Sequence, residues 1–150
     1  MIAALIVALL AFVSFPAHAE TVHVIDGDGL RINGQTVRLW GIDAPELRQT
    51  CQQGGKGYAC GELARDALQR AVGGSLPRCE AVSTDRYGRT VARCFVAGRD
   101  LAAVMVADGW AVDWPRYSRG AYASMQDTAQ AAKRGQWAGF FVAPWEWRKR

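Results

Sequence analysis

Residues 21–46 read TVHVIDGDGLRINGQTVRLWGIDAPE, and Asn33-Gly34 in the middle decides how the stretch folds. Asn-Gly between two alternating runs is the strongest short signal for a two-residue β-hairpin, because both residues accept the positive φ of a type I′ turn. Gly29 to Ile32 and Gln35 to Ile42 are therefore expected as its strands, with Glu20 to Ile25, rich in β-branched residues, as a strand before them. The turn folds the second run back along the first. Asp28 and Asp43 should then lie toward the same end of the sheet, with Glu46 close by. Arg38 alternates with Val37 and Leu39 and should face away from the core side of its strand.

Three converging carboxylates repel one another and are tolerated when a hard cation sits among them. Carboxylate oxygens for a divalent metal beside an exposed Arg describe a site for phosphoryl chemistry. In isolation Asp26-Gly27-Asp28-Gly29 reads only as a turn. It is not an EF-hand, since Leu30 stands at the third ligand position and no glutamate closes the loop.

Outward from this stretch the pattern changes period. Leu63, Ala64, Ala67, Leu68, Ala71 and Val72 share one helical face, and Gly73-Gly74 ends that helix. Leu76 to Val82 and Arg89 to Val96 read as a second hairpin around Thr84 to Gly88, with Cys79 and Cys94 equidistant from its centre. Those two should face each other and form a disulfide, whose loop closure contributes about 3 kcal/mol. Cys51 and Cys60 then staple the intervening loop. Leu101 to Asp108 and Ala121 to Arg134 are expected as two further helices, stopped by Gly109 and Gly135. Five short strands with a helix between the third and fourth give an α+β fold: a five-stranded oligonucleotide-binding (OB) type β-barrel with three α-helices.

The chain is 150 residues long, half of them hydrophobic, with 18 Lys plus Arg against 14 Asp plus Glu and a net charge of +4. That composition excludes disorder, collagen and coiled coil and fits one domain over residues 20–150. Fifteen of the 18 cations are Arg, the residue that grips phosphate bidentately. Residues 1–19 are expected as a signal peptide: Ile2 to Val13 is unbroken apolar sequence, Pro16 breaks it, and Ala17-His18-Ala19 is a small-x-small cleavage pattern. The run is shorter than the roughly 20 residues a bilayer span needs. Export to an oxidising compartment favours disulfides over thiolate metal sites. After cleavage His23 is the one histidine left, which excludes a Ser-His-Asp triad and a multi-histidine zinc site. Trp145, Trp147 and Arg148-Lys149-Arg150 are expected as a packed edge and a frayed end.

Val24-Ile25-Asp26-Gly27-Asp28, Val37-Arg38-Leu39, Ile42-Asp43-Ala44-Pro45-Glu46, Asp85-Arg86-Tyr87-Gly88-Arg89 and Gly135-Gln136-Trp137 together resemble the staphylococcal nuclease (thermonuclease) family, in matching order and spacing from about Val22 to Trp137. The resemblance implies a calcium-dependent phosphodiesterase that acts on DNA and RNA, single strands preferred, and leaves 3′-phosphate ends. It would be an exported monomer, periplasmic or secreted, with no membrane association after signal cleavage. By the same resemblance Asp28, Asp43 and the carbonyl of Ala44 ligate Ca²⁺, and Asp26 supports them from behind. Glu46 serves the attacking water, and Arg38 and Arg89 bind the phosphoryl oxygens. Arg86 and Tyr87 match positions that hold a terminal phosphate, and Tyr117 lines a base pocket. Gly29 and Ala44 stand where the family commonly has Thr. Two other classes are compatible with the residues: an OB-type module that binds single-stranded nucleic acid without cutting it, and a calcium-binding envelope domain.

Overall fold

In the computed structural model, which describes residues 20–150, Asn33 and Gly34 take φ of 49° and 82° and form the expected turn. Strand β1 (Val22–Val24) pairs antiparallel with β2 (Gly29–Ile32), and β2 with β3 (Gln35–Leu39), in a register that sets Gly29 opposite Arg38. The signal-peptide expectation for residues 1–19 lies outside the described residues.

The third strand stops three residues earlier than expected. Gly41 has φ 76°, and a Cβ there would stand 3.1 Å from Ser118 and from the Tyr122 ring, so the chain swings off the sheet at a point that only glycine fits. It resumes as β4 (Ile42–Asp43). A small hairpin follows, β5 (Cys51–Gln53) and β6 (Lys56–Tyr58), and leads into α1 (Cys60–Val72). Then come β7 (Arg78–Thr84), β8 (Thr90–Val96) and β9 (Arg99–Asp100). Strand β7 begins after Pro77, which has no N–H to give to a ladder. The C-terminal part holds α2 (Leu101–Ala107), β10 (Val112–Asp113), α3 (Pro115–Ser118), α4 (Ala123–Ala131), a single 3₁₀ turn over Gly135–Ala138 and α5 (Pro144–Trp147). The two four-residue helices α3 and α5, absent from the sequence reading, each start at a proline, whose fixed φ suits the first helical position.

The principal sheet runs in the order β1-β2-β3-β8-β7, with β9 also on β8. Strands β3 and β8 are parallel and the rest antiparallel, so the sheet is mixed and curls as an OB-type α+β fold. Leu30, Leu39, Leu68, Val72, Leu101, Met105 and Val106 are buried between the sheet's concave side and helices α1 and α2. Burying side chains of this size stabilises the fold by about 1.5–3 kcal/mol each. Both expected disulfides are present: Cys79 and Cys94 are direct partners in the β7–β8 register, and Cys51–Cys60 ties β5 to the first turn of α1. Strand β4 leaves the sheet to pair with β10, and this carries Trp114 to the Arg38 face, with its amide donating to the Gly41 carbonyl at 2.9 Å.

Candidate active site

Asp26 to Asp28 form the turn between β1 and β2, packed so closely that Gly27 admits no side chain. A Cβ on Gly27 would meet the Cβ atoms of Ala44 and Ala64 at 2.6 and 2.9 Å, and one on Gly29 would meet Asp26 Oδ1 at 2.7 Å. The threonine commonly found at the second position in the resembling family would therefore displace Asp26. Asp26 Oδ1 accepts from the Asp28 amide at 3.2 Å. The Asp28 carbonyl accepts from the Leu39 amide, and its Oδ2 accepts from the Ala44 amide at 2.9 Å. Asp28 thus joins the β1–β2 turn to the chain leaving β4.

Arg38 projects from β3 on the side opposite Val37 and Leu39, which are buried. Its Nη2 lies 3.5 Å from Asp28 Oδ2 and 3.0 Å from Asp43 Oδ1, so two carboxylates 15 positions apart converge on one nitrogen. The same nitrogen donates to the Ile42 carbonyl at 3.2 Å. Asp43 is fully buried.

The sequence reading did not anticipate the second guanidinium here. Arg148, just after α5, donates from Nη1 to Asp43 Oδ1 at 3.0 Å, from Nη2 to Asp43 Oδ2 at 2.8 Å, and from Nη1 to Glu46 Oε1 at 2.6 Å. The supposed frayed end is therefore part of the site. Trp114 holds both arginines: the guanidinium carbons of Arg38 and Arg148 lie 5.4 and 5.5 Å from its ring. Trp145 stacks on it at 5.9 Å and 17°, and Tyr117 meets it edge-on at 4.5 Å. Tyr117 is exposed and reaches the cluster through Trp114.

Glu46 sits on a loop clamped to α1. A Cβ on Gly61 would collide with the Glu46 and Leu47 carbonyls, so helix and loop approach to a distance only glycine allows. Gln49, fully buried, accepts from the Glu46 amide and donates from Nε2 to the Val142 carbonyl. Neither Gln49 nor Arg148 belongs to a periodic or motif pattern, so only tertiary structure reveals them.

Asp28, Asp43 and Glu46 share two guanidinium groups, and the Asp26 carboxyl lies beside Asp28 without either. Burial pushes the Asp28 carboxyl up to about 6; Arg38 and the Ala44 amide pull it down, while Asp26 and Glu46 add to the rise. Asp43 is also raised, chiefly by burial, against hydrogen bonding from Arg148. Both guanidinium groups are held above their ordinary range: burial opposes this, but the carboxylates outweigh it. Among the described residues no three His, Cys, Asp or Glu side chains are grouped so as to hold a metal ion. The donor set nevertheless fits a hard cation, since two buried carboxylates converge, every donor is oxygen, and the cluster carries more acid than base.

Arg89 stands apart from this cluster. The parallel register sets Thr90 beside Val37, so Arg89 enters at the strand next to Arg38. Its Nε, however, is bound to Asp85 Oδ2 at 2.7 Å, and its amide to Asp85 Oδ1 at 2.9 Å. Burial would raise Asp85, but hydrogen bonds from the backbone and side chain of Arg89 and from the Tyr87 amide hold it below the usual carboxylate range. At the exposed hairpin tip Arg86 donates to the Tyr87 hydroxyl at 2.7 Å, and the Arg89 guanidinium lies over the Tyr87 ring at 5.6 Å. Gln35, Thr36, Tyr87, Gly88, Arg89 and Thr90 line an open cleft of 350 Å³ there.

Residues 36–139 match the family model described as "Staphylococcal nuclease homologue". The chain is 43% identical over 117 residues to the succinoglycan biosynthesis protein ExoI of Rhizobium meliloti, covering 76% of this chain and 61% of that protein. It is 35% identical over 159 residues to Protein ParB of Escherichia coli, covering 91% and 84%. With the staphylococcal-like nuclease CAN1 of Arabidopsis thaliana it shares 32% over 115 residues, 75% of this chain and 33% of that protein. The chain thus spans less than two thirds of ExoI and a third of CAN1.

Proposed function

The chain belongs to the staphylococcal nuclease family, and from that membership and the carboxylate–arginine site we propose that it is an exported, calcium-dependent nuclease that hydrolyses phosphodiester bonds of DNA and RNA and leaves 3′-phosphate ends. The observation that carries this reading is the convergence of Asp28 and Asp43 on Arg38 Nη2, with Glu46 linked to the same cluster through Arg148. The nuclease named among the relatives and the two disulfides, which suit an oxidising compartment, support it.

Asp28, Asp43 and the Ala44 carbonyl would hold Ca²⁺, which supplies charge neutralisation at the phosphoryl group when bound. Glu46, half-exposed at the mouth of the site, accepts a proton from the attacking water or orients it. Arg38 donates to a non-bridging phosphoryl oxygen and strengthens that bond as charge builds. Arg89 does the same from the turn just before β8 once it gives up part of its hold on Asp85. Arg86 and Tyr87 bind a terminal phosphate in the cleft beside the hairpin tip, and Tyr117 with Trp114 offers a face for a base of a single strand. Residues 20–150 act as one monomeric domain, with residues 1–19 removed as a signal peptide.

Incubating purified protein with a labelled single-stranded oligonucleotide, with Ca²⁺ and with excess chelator, tests the reading. Cutting with calcium only, to 3′-phosphate products, supports it. Binding without cutting would make the domain a nucleic-acid-binding module, and calcium binding without either would make it a calcium-binding envelope domain.

A further inference from the structure

We propose that Arg148 is the resident counter-cation of the site: a divalent cation binds as Arg148 releases Asp43 and Glu46, so the segment around α5 sets the site's affinity for metal. This rests on the reading of Asp28 and Asp43 as metal ligands.

The two arginines occupy the cluster from different sides. Arg38 has 14% of its side chain exposed and is held from within by Asp28, Asp43 and the Ile42 carbonyl. Arg148 has 35% exposed and covers the solvent side, with one guanidinium nitrogen on each oxygen of the fully buried Asp43. An incoming cation therefore meets Arg148 first. Asp43 cannot simply be abandoned: without Arg148 its Oδ2 has no donor among the described residues and its charge is met by Arg38 alone, which Asp28 shares, and an under-compensated buried carboxylate is destabilising. Replacing the guanidinium by a dication avoids that state, so binding is an exchange of one cation for another. Glu46 is released in the same event, since Nη1 of Arg148 serves both carboxylates.

Arg148 is tethered whether or not it is on Asp43. Trp145, three residues earlier, stacks on Trp114, and the Val142 carbonyl accepts from Gln49 at 2.7 Å. The guanidinium can leave while its helix stays docked, which keeps it at high local concentration as a competitor. A site whose competent state is fractionally populated binds more weakly by that fraction.

Calcium titration by calorimetry compares chelator-stripped wild-type protein with Arg148→Gln and Arg148→Lys, alongside thermal melting in EDTA and in calcium. Arg148→Gln should tighten the calcium Kd by about tenfold or more. Arg148→Lys should fall between, because an ammonium is a point charge that cannot span both Asp43 oxygens. In EDTA Arg148→Gln should melt below wild type, and calcium should raise its Tm by more than it raises the wild type's. An unchanged or weaker Kd in Arg148→Gln overturns the proposal and leaves the metal reading standing. Calcium binding by none of the three proteins overturns both. If Arg148→Gln does not fold, an unchanged Kd in Arg148→Lys is decisive against the proposal.

Discussion

Glu46 and Gln49 close on each other through two hydrogen bonds: the Gln49 amide donates to the Glu46 carbonyl at 2.7 Å, and the Glu46 amide donates to Gln49 Oε1 at 3.2 Å. The other end of the same side chain donates to the Val142 carbonyl, 93 residues away. One buried amide thus fixes both the loop that carries Glu46 and the segment that leads to Arg148.

Replacing Gln49 by Leu should leave the Glu46 N–H and the Val142 carbonyl, both part-buried, without these partners. The expected cost is about 1–3 kcal/mol per buried polar group left unsatisfied. Urea unfolding measures it, and a variant as stable as wild type would show that these bonds are not holding the loop.

A second expectation follows from Asp28. Its folded pKa is raised from the ordinary 3.8 to about 6, so the folded state holds the proton more tightly than the unfolded state does. Its contribution to stability is therefore greatest below about pH 3.8 and declines as pH rises to about 6, above which the ionised, buried carboxylate is a constant cost. In chelator at pH 7.5, Asp28→Asn should be more stable than wild type by about 1–3 kcal/mol, and the gap should close near pH 4. Denaturant curves at the two pH values test this; a less stable Asp28→Asn at pH 7.5 contradicts it.

The cystines close loops of 9 and 15 residues, which corresponds to about 2.5 and 3 kcal/mol in the chain-entropy account. Replacing each pair by Ser should lower stability by about 2–5 kcal/mol. No cysteine belongs to the carboxylate–arginine cluster, so below the melting temperature each variant should cut at the wild-type rate. Loss of cutting by folded Cys51→Ser/Cys60→Ser protein would instead mean that the staple next to Gln49 positions Glu46.

The first hairpin, the β7–β8 hairpin and the helix α1 are legible in the sequence because local rules decide them: Asn33-Gly34, symmetric cysteines, and an apolar face of period 3.6. The end of β3 is not legible, since Gly41 acts through Ser118 and Tyr122, far along the chain. The convergence of Asp28, Asp43 and Arg38 follows from strand pairing and is readable. Arg148 is not, because nothing in a basic tail says which carboxylate it will find. Trp114 is half-legible: its aromatic character is plain, but its place between two arginines depends on β4 leaving the sheet to pair with β10.

The site's arginines and Glu46 should separate by what each loses. Arg38 bridges two buried carboxylates, so Arg38→Ala removes the inner cation as well as a phosphoryl contact, and the metal-free protein should lose about 3–5 kcal/mol. Arg89 is paired with a partly exposed Asp85, and Arg89→Ala should cost at most about 1 kcal/mol. Both should lower kcat, because each donates to oxygens whose charge grows in the transition state. Glu46→Gln keeps the shape of the loop and its backbone bonds to Gln49 while removing the carboxylate. If Glu46 serves the attacking water, kcat should fall by about 10² to 10⁴. Oligonucleotide affinity should hold or rise, since a negative charge near the phosphate has gone. Cleavage and binding measured side by side for the three variants, with unfolding curves for each, decide the assignment: Glu46→Gln protein that cuts at the wild-type rate removes Glu46 from the chemistry and leaves its carboxylate only as a partner of Arg148.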